Sequence, residues 1–201
     1  KAQEVFELLP IRNVVSWTAL IAGYVQHGFG HEALKCFEKM QDDGIYPNSV
    51  TYICVLKACA LVRCLDLGEC IDAEVRKKGL LIKDGVLGNT LVDMYAKCGA
   101  LEKAYEVFER LQHKNTESWN ALLAGYAELG DNKNVCSVFD KIMRCESPDL
   151  ITFVTILKAC SHLGLVDEGY SLFNAMETYS GLGPGPEHYS CFIDLLGRVG
   201  R

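Results

Sequence analysis

Residues 16–24 read SWTALIAGY, and residues 118–126 read SWNALLAGY. The same phrase therefore occurs twice, about a hundred residues apart, and Asn120 stands in the second copy where the first has Thr18. Self-similarity at a fixed distance is typical of repeat proteins, because each copy folds into the same small unit. The two copies decide how the rest of the chain is divided.

The flanking residues extend both copies into full repeats of three lengths, about 35, 36 and 31 residues, after which the cycle restarts. We call the three kinds ordinary, long and short. They predict one repeat array over 1–201, with a partial short repeat at 1–13, an ordinary at 14–48, a long at 49–84, a short at 85–115, an ordinary at 116–149, a long at 150–185 and a partial short repeat at 186–201.

Each repeat carries two apolar stripes with helical spacing. In the first ordinary repeat, apolar residues from Trp17 to Tyr24 recur at i, i+3, i+4 and i+7, and a second stripe runs from Ala33 to Met40. A single helical hairpin cannot bury both stripes, so neighbouring repeats must stack. We therefore expect an all-α fold, a right-handed α-solenoid of helix-turn-helix repeats. Small residues such as Gly23 are expected to let the first helices approach closely.

The composition is that of a folded protein, with 49% hydrophobic and 23% charged residues. The net charge of −6 argues against strong non-specific electrostatic binding of nucleic acid, although it does not exclude the reading of individual bases. No apolar run reaches the roughly 18 residues that a transmembrane helix needs. We expect no membrane-spanning segment.

The ten cysteines form no Cys-x-x-Cys pair and fall mostly in apolar helical stretches. This pattern predicts reduced, buried thiols rather than a disulfide framework. The best candidate for a zinc site, Cys160 with His162, has no second pair nearby, so we expect neither a metal nor another cofactor.

Three kinds of repeat in a fixed order resemble the plant PLS class of pentatricopeptide repeat proteins. The matching lines are VVSWTALIAGY with EALKCFEKM in the ordinary repeat, TYICVLKACA in the long repeat and LGNTLVDMYAKCGALEKAYEVFERL in the short repeat. PGPEHYSCFIDLLGRVGR resembles the last short repeat of such proteins, which implies the C-terminal part of a repeat array. The resemblance extends over all 201 residues.

The resemblance also implies a function. Proteins of this class bind single-stranded RNA, not DNA, in a sequence-specific way in the mitochondrion or the plastid. The implied role is the specificity module of a C-to-U RNA editing factor, with an editing cofactor protein or a deaminase domain as a further partner. Stabilisation, splicing or processing of organellar RNA is the alternative within the same class.

The replacement of Thr18 by Asn120 marks the fifth residue of the ordinary repeats as a candidate base-reading position. A hydroxyl or amide side chain can both donate and accept hydrogen bonds at the edge of a base. The resemblance implies that the fifth and last residues of a repeat act as a pair on one base. The implied pairs are Thr18 with Asn48 for adenine, Asn89 with Asn115 for a pyrimidine, and Asn120 with Asp149 for uracil.

Other positions follow from the same resemblance. Second residues are implied to sandwich the bases, which suits Val15 and Val86, whereas Glu117 departs from the apolar pattern. The long repeats place Ile53 with Asp84 and Val154 with Gly185, so we expect little base discrimination there. Ser190 is the fifth residue of the last repeat, and its partner would follow Arg201. The implied RNA reads, from 5′ to 3′, A, any base, pyrimidine, U, any base.

Each of these residues has a structural alternative. Asn48, Asn115 and Asp149 are also common helix caps and turn residues. The aromatic residues at fourth positions, Trp17, Tyr52, Trp119 and Tyr189, are expected to pack in the core rather than to stack on bases. Scattered basic residues are candidates for phosphate contacts or for a solvated helix surface: Lys39, Lys57, Arg76 to Lys78, Lys97, Lys158 and Arg198.

Two other classes of protein compete with this interpretation. Tetratricopeptide arrays, which bind proteins, have helical hairpins of similar size, but their repeats keep a constant length and a different W-x-x-L-G pattern. A zinc deaminase would need His-x-Glu and Cys-x-x-Cys motifs, and the chain has neither. We therefore expect no catalytic site in this chain.

Overall fold

The computed structural model describes residues 2–80, 85–112, 114–145, 149–180, 183–198 and 200. These residues form α-helices and connecting turns, without a β-strand in the described ranges. The Cα positions group the chain into two compact bodies, Lys1–His113 and Lys114–Arg201. Each body is described by itself.

The N-terminal body is a stack of helical hairpins. A first helix and a second helix form each hairpin: α2 packs on α3, α4 on α5, and α6 on α7, while α4 lies between α2 and α6. The helices are α1 (Ala2–Glu7), α2 (Val14–Gln26), α3 (Gly30–Asp42), α4 (Ser49–Val62), α5 (Leu65–Lys77), α6 (Gly85–Lys97) and α7 (Leu101–Arg110).

The C-terminal body repeats this arrangement. Its central first helix, α10, contacts the first helices α8 and α12 and the second helices α9 and α11. The helices are α8 (Thr116–Glu128), α9 (Asn132–Cys145), α10 (Leu150–Leu163), α11 (Val166–Ser180) and α12 (Pro186–Arg198). First helices in the two bodies begin at residues 14, 49, 85, 116, 150 and 186.

Four first helices begin directly after a capping side chain. Asn13, Asn48, Asn115 and Asp149 each accept a hydrogen bond from the backbone N–H three residues later. Such a cap satisfies a donor that has no partner within the helix, and it is worth about 1 kcal/mol. The last residue of a repeat therefore fixes where the next helix begins.

The fourth residues of the repeats mostly lie in the core. Trp17, Tyr52 and Trp119 are buried, and the ring of Trp17 contacts that of Phe6 edge-on at 4.5 Å between centroids. Tyr189 is half exposed and packs its ring edge-on against Phe173 at 5.1 Å.

Close approach between helices occurs at second helices, not at the predicted position in the first helix. A Cβ added to Gly23 would meet nothing within 4 Å, so the prediction for this residue was wrong. A Cβ added to Gly30, at the start of α3, would lie 2.6 Å from Val62 Cγ1 and 3.2 Å from the Ala58 carbonyl oxygen. Only glycine lets α3 begin this close to α4.

The cysteines are free thiols in the described part of the chain, but they are not uniformly buried. Cys70 and Cys136 are exposed on second helices, which contradicts the prediction for these two residues. Cys59 and Cys160 occupy the same position in the two long repeats. Burial raises the pKa of each of these two thiols to about 12.

Candidate nucleic-acid interface

The first ordinary repeat brings its fifth and last residues together through a third side chain. The Thr18 and Thr51 hydroxyl oxygens lie 2.7 Å apart, although 33 residues separate them in the sequence. Thr51 Oγ1 in turn donates to Asn48 Oδ1 at 3.0 Å. Because α2 packs beside α4, residues 18 and 48 meet at the junction between the ordinary and the long repeat.

The hydrogen bonds determine which atom of Asn48 faces outward. Its Oδ1 accepts from the Thr51 backbone N–H at 2.9 Å as well as from the Thr51 hydroxyl. The amide group Nδ2 of this exposed residue is left as the outward donor. Thr51 has one hydroxyl proton and gives it to Asn48, so Thr18, which is 8% exposed, donates to Thr51 and keeps free lone pairs.

The second ordinary repeat has the same junction with different polar groups. Asp149 Oδ1 accepts from the Thr152 backbone N–H at 2.7 Å and from the Thr152 hydroxyl at 2.8 Å. Asp149 is exposed, and its Oδ2 is left as an outward acceptor. The half-buried Asn120 differs from Thr18, because its Oδ1 is buried without a hydrogen-bond partner in the described residues.

The short repeat contributes Asn89 and Asn115, which lie in different bodies. Asn89 is half-buried on α6, and its Oδ1 is buried with no partner among the described residues, as for Asn120. Asn115 is exposed, and its Oδ1 accepts from the Ser118 backbone N–H at 2.9 Å. Its outward group is therefore the amide Nδ2, as in Asn48.

An exposed aliphatic side chain stands at the second position of most repeats. Val15 is 68% and Val86 59% exposed, and Val50 and Ile151 of the long repeats are exposed to a similar extent. Glu117 is exposed as well, with a charged group in place of an aliphatic one. Exposed aliphatic side chains are costly to leave in water, and they offer an apolar surface to a ligand.

The long repeats lack a polar side chain at the fifth position. Ile53 is half-buried, and its partner Asp84 lies outside the described residues. Val154 is buried and lines a cavity of about 350 Å³ with Gly185. The Gly185 backbone N–H donates to His188 Nδ1 at 3.1 Å. The ring proton therefore lies on His188 Nε2, which donates to the Leu150 carbonyl oxygen at 2.9 Å.

Ser190 lies exposed on α12, and none of the hydrogen bonds that the structure gives for the described residues involves its hydroxyl. Its neighbour Cys191 is buried. Ser190 thus has the accessibility that a base-reading residue needs.

The third residues of the repeats were missed by the sequence analysis. Ser16, Thr51, Ser118 and Thr152 each follow a cap by three residues, and all but Ser16 are buried. The pattern Asn/Asp-x-x-Ser/Thr at the repeat boundaries is a helix-start signal that could have identified them. These residues hold the last residue of each preceding repeat in a fixed orientation.

Stacked helical hairpins within each body, with side-chain caps before four of the first helices, define a helical-repeat protein of the α-solenoid class. Comparisons with known families assign residues 12–60 to the PPR repeat family, 89–116 and 151–180 to the PPR repeat, and 114–162 to the pentatricopeptide repeat domain. The chain belongs to the pentatricopeptide repeat family.

Two relatives from Arabidopsis thaliana illustrate the similarity. Pentatricopeptide repeat-containing protein CRR2, chloroplastic, is 42% identical over 205 residues, a match that covers 100% of this chain and 31% of that protein. A putative pentatricopeptide repeat-containing protein named as mitochondrial is also 42% identical over 205 residues, covering 100% of this chain and 32% of its own length. The chain thus spans about a third of each of these relatives.

Solved structures agree on the fold. The crystal structure of the pentatricopeptide repeat protein PPR10 in complex with an 18-nt psaJ RNA element superposes with a TM-score of 0.76 at 23% identity, covering 98% of this chain and 30% of that one. Nuclear protein-only RNase P 2 of Arabidopsis thaliana superposes with a TM-score of 0.65 at 11% identity, covering 92% and 42%. At these identities the likeness concerns the fold alone.

The matched families describe pentatricopeptide repeats, and this chain is a repeat protein over the residues that they cover. Within the described ranges, no three His, Cys, Asp or Glu side chains are grouped so as to hold a metal ion. The helices described there are also too short or too polar to cross a bilayer.

Proposed function

We propose that the chain binds single-stranded RNA in a sequence-specific way and reads bases with the fifth and last residues of its ordinary and short repeats. The observation that carries this proposal is the hydrogen-bonded chain Thr18–Thr51–Asn48, with distances of 2.7 and 3.0 Å. It brings together two residues that lie far apart in the sequence and leaves the outer one facing solvent. The crystal structure of PPR10 with an RNA element supports the same partner class.

Capping a helix and reading a base are compatible roles for the last residue. The cap uses Oδ1 alone, so the second polar atom of the side chain remains free. That atom is an amide donor in Asn48 and Asn115, and a carboxylate acceptor in Asp149. Two repeats with the same backbone geometry therefore present opposite hydrogen-bond polarity to a bound base.

This polarity divides the four bases into two pairs. The central atom of the Watson–Crick edge is an acceptor in adenine and cytosine, N1 and N3, and an N–H donor in guanine and uracil. A last residue Asn then favours adenine or cytosine, and a last residue Asp favours guanine or uracil. Combined with the family pattern, Thr18 with Asn48 reads adenine and Asn120 with Asp149 reads uracil, while the family pattern by itself assigns a pyrimidine to Asn89 with Asn115.

The buried Oδ1 atoms of Asn89 and Asn120, for which the described residues supply no hydrogen-bond donor, support the same role. An unpaired buried polar atom costs about 1–3 kcal/mol, so a bound partner that supplies a donor recovers part of that cost. The terminal torsion of asparagine is soft enough for the amide to turn toward a base. The exposed Val15 and Val86 would hold the base from the side.

The biological setting that we propose is an organelle of a plant cell. Relatives are named as chloroplastic and as mitochondrial, which supports an organellar location without a choice between the two. The alternation of ordinary, long and short repeats supports the specificity module of a C-to-U RNA editing factor, in which a deaminase domain or an editing cofactor protein supplies the chemistry. RNA stabilisation, splicing or processing is the second candidate.

A reciprocal exchange of caps tests the base-reading role. Titrations by fluorescence anisotropy would compare short RNAs that differ at one base, using the wild type, Asn48→Asp and Asp149→Asn. Because both residues cap helices equally well, the fold is retained while the outward polarity reverses. We expect Asn48→Asp to change the base preferred by the first ordinary repeat from adenine to guanine. Asp149→Asn should change the base preferred by the second ordinary repeat from uracil to cytosine.

Asn48→Ser is the matched control, because serine keeps the cap but lacks an outward amide. It should lose the preference for adenine without gaining one for guanine. Equal binding of all RNAs by the wild type would contradict sequence-specific reading. If the chain then captured a protein partner instead, the alternative of a protein-binding scaffold would be favoured.

A further inference from the structure

The ninth residue of the first helix differs systematically between the three kinds of repeat. It is alanine in both ordinary repeats, Ala22 and Ala124. It is lysine in both long repeats, Lys57 on α4 and Lys158 on α10. In the short repeats it is aspartate, Asp93 and Asp194.

The two lysines differ from the other basic residues of the first helices. Lys97 pairs with Asp93 at 2.8 Å, and Arg198 pairs with Asp194 at 2.9 Å, so both cations are neutralised by the carboxylate one turn earlier. Lys57 and Lys158 are exposed, and neither has a carboxylate partner in the described part of the chain. They are the free positive charges of the described first helices.

The helix geometry places these lysines on the surface where a base would be sandwiched. Lys57 follows the exposed Val50 by seven residues, and Lys158 follows the exposed Ile151 by seven. Seven residues are close to two helical turns, so each lysine lies on the same face as its aliphatic residue, about 10 Å further along the helix. An extended lysine side chain reaches back over much of that distance.

We propose that Lys57 and Lys158 bind phosphates of the RNA as it crosses the long repeats. The inference rests on the proposed RNA-binding function and assigns a role to the repeats that lack a base-reading pair. A fifth residue without polar groups cannot read a base edge, but an unpaired ammonium group can neutralise a phosphate of any nucleotide. The long repeats thus contribute affinity, and the ordinary and short repeats contribute base preference.

The dependence of binding on salt tests this assignment. For single-stranded nucleic acid, the slope of log affinity against log salt concentration changes by about 0.7 for each phosphate contact. The double variant Lys57→Gln with Lys158→Gln should therefore have a slope shallower by about 1.4, with the ratio between preferred and exchanged RNAs unchanged. The charge-matched control is Lys35→Gln with Lys133→Gln, two exposed lysines on the second helices α3 and α9.

Equal slopes for the two double variants would overturn the phosphate contacts even if the wild type still prefers its RNA. Protection from amine acetylation, measured by mass spectrometry, gives an independent readout on the unmodified protein. RNA should protect Lys57 and Lys158 but not Lys35 and Lys133, and absence of this difference would also overturn the inference. Failure of the proposed function has another signature, the loss of all preference between RNAs at low salt.

Discussion

The two ordinary-to-long junctions share one backbone design and differ in how their polar groups are satisfied. In the N-terminal body, a continuous chain of hydrogen bonds runs from Thr18 through Thr51 to Asn48. In the C-terminal body, Thr152 bonds only to Asp149, and the buried Oδ1 of Asn120 has no partner among the described residues. The difference teaches that a single substitution at the fifth position changes the local stability and the groups offered to a ligand at the same time.

The largest expected effect concerns a feature that the two long repeats share. Burial raises the pKa of Cys59 and Cys160 to about 12, so both thiols stay protonated at neutral pH. We expect iodoacetamide to alkylate both at least about a hundredfold more slowly than the exposed Cys70, as followed by mass spectrometry. Fast alkylation of Cys160 alone would show that the equivalence of the two long repeats fails.

The stability of the first ordinary-to-long junction should depend strongly on the Thr51 hydroxyl. Thr51 is fully buried and contacts both Thr18 and Asn48, so Thr51→Val should lower the free energy of unfolding by about 2 kcal/mol. Thr155→Val is the control, because the Thr155 hydroxyl bonds only to the carbonyl of Ile151 in its own helix. Urea denaturation followed by circular dichroism would measure both. A change below about 0.5 kcal/mol at Thr51 would mean that the chain of hydrogen bonds is not a stabilising feature.

The first helices of the two long repeats end at equivalent residues, which can be exchanged by substitution. Arg63 and Gly164 occupy equivalent positions, and both adopt the left-handed conformation, with φ of 54° and 68°. Because this conformation costs a non-glycine residue about 1 kcal/mol, Arg63→Gly should raise the free energy of unfolding by about that amount. Gly164→Arg should lower it by a similar amount. Shifts of the same sign in the two variants would contradict the equivalence of these helix ends.

Substitutions at the two fifth positions should change the free energy of unfolding in opposite directions, each by about 1 kcal/mol or less. Thr18→Val removes a satisfied hydrogen bond and should destabilise the fold, whereas Asn120→Leu removes an unsatisfied acceptor and should be neutral or stabilising. In RNA titrations, both variants should lose the preference for one base. Destabilisation by Asn120→Leu equal to that by Thr18→Val would indicate that Asn120 Oδ1 has a partner in solution.

Much of the fold could be predicted from the sequence because its determinants are local. Helix periodicity, together with Asn or Asp at the repeat ends, indicated where the first helices begin, and Trp17 and Tyr52 lie in the core as expected. The exposure of Cys70 and Cys136 could not be predicted from the local sequence, since it depends on which face of a second helix packs against a neighbouring helix.

The candidate site was predictable in its positions but not in its connections. The recurrence of one phrase indicated that Thr18 and Asn120 are equivalent. The bond from Thr18 to Thr51 depends on the register between two packed helices, which one sequence does not contain. The free charges of Lys57 and Lys158 likewise became apparent only when the partners of Lys97 and Arg198 were known.

The use of one side-chain oxygen as a helix cap has a consequence for how such proteins change over time. Asparagine and aspartate cap almost equally well, and a single nucleotide change in a codon interconverts them. Under the proposed function, a mutation at Asn48 or Asp149 redirects the chain to a different RNA without passing through an unstable intermediate. The architecture separates the freedom to explore new targets from the requirement to stay folded.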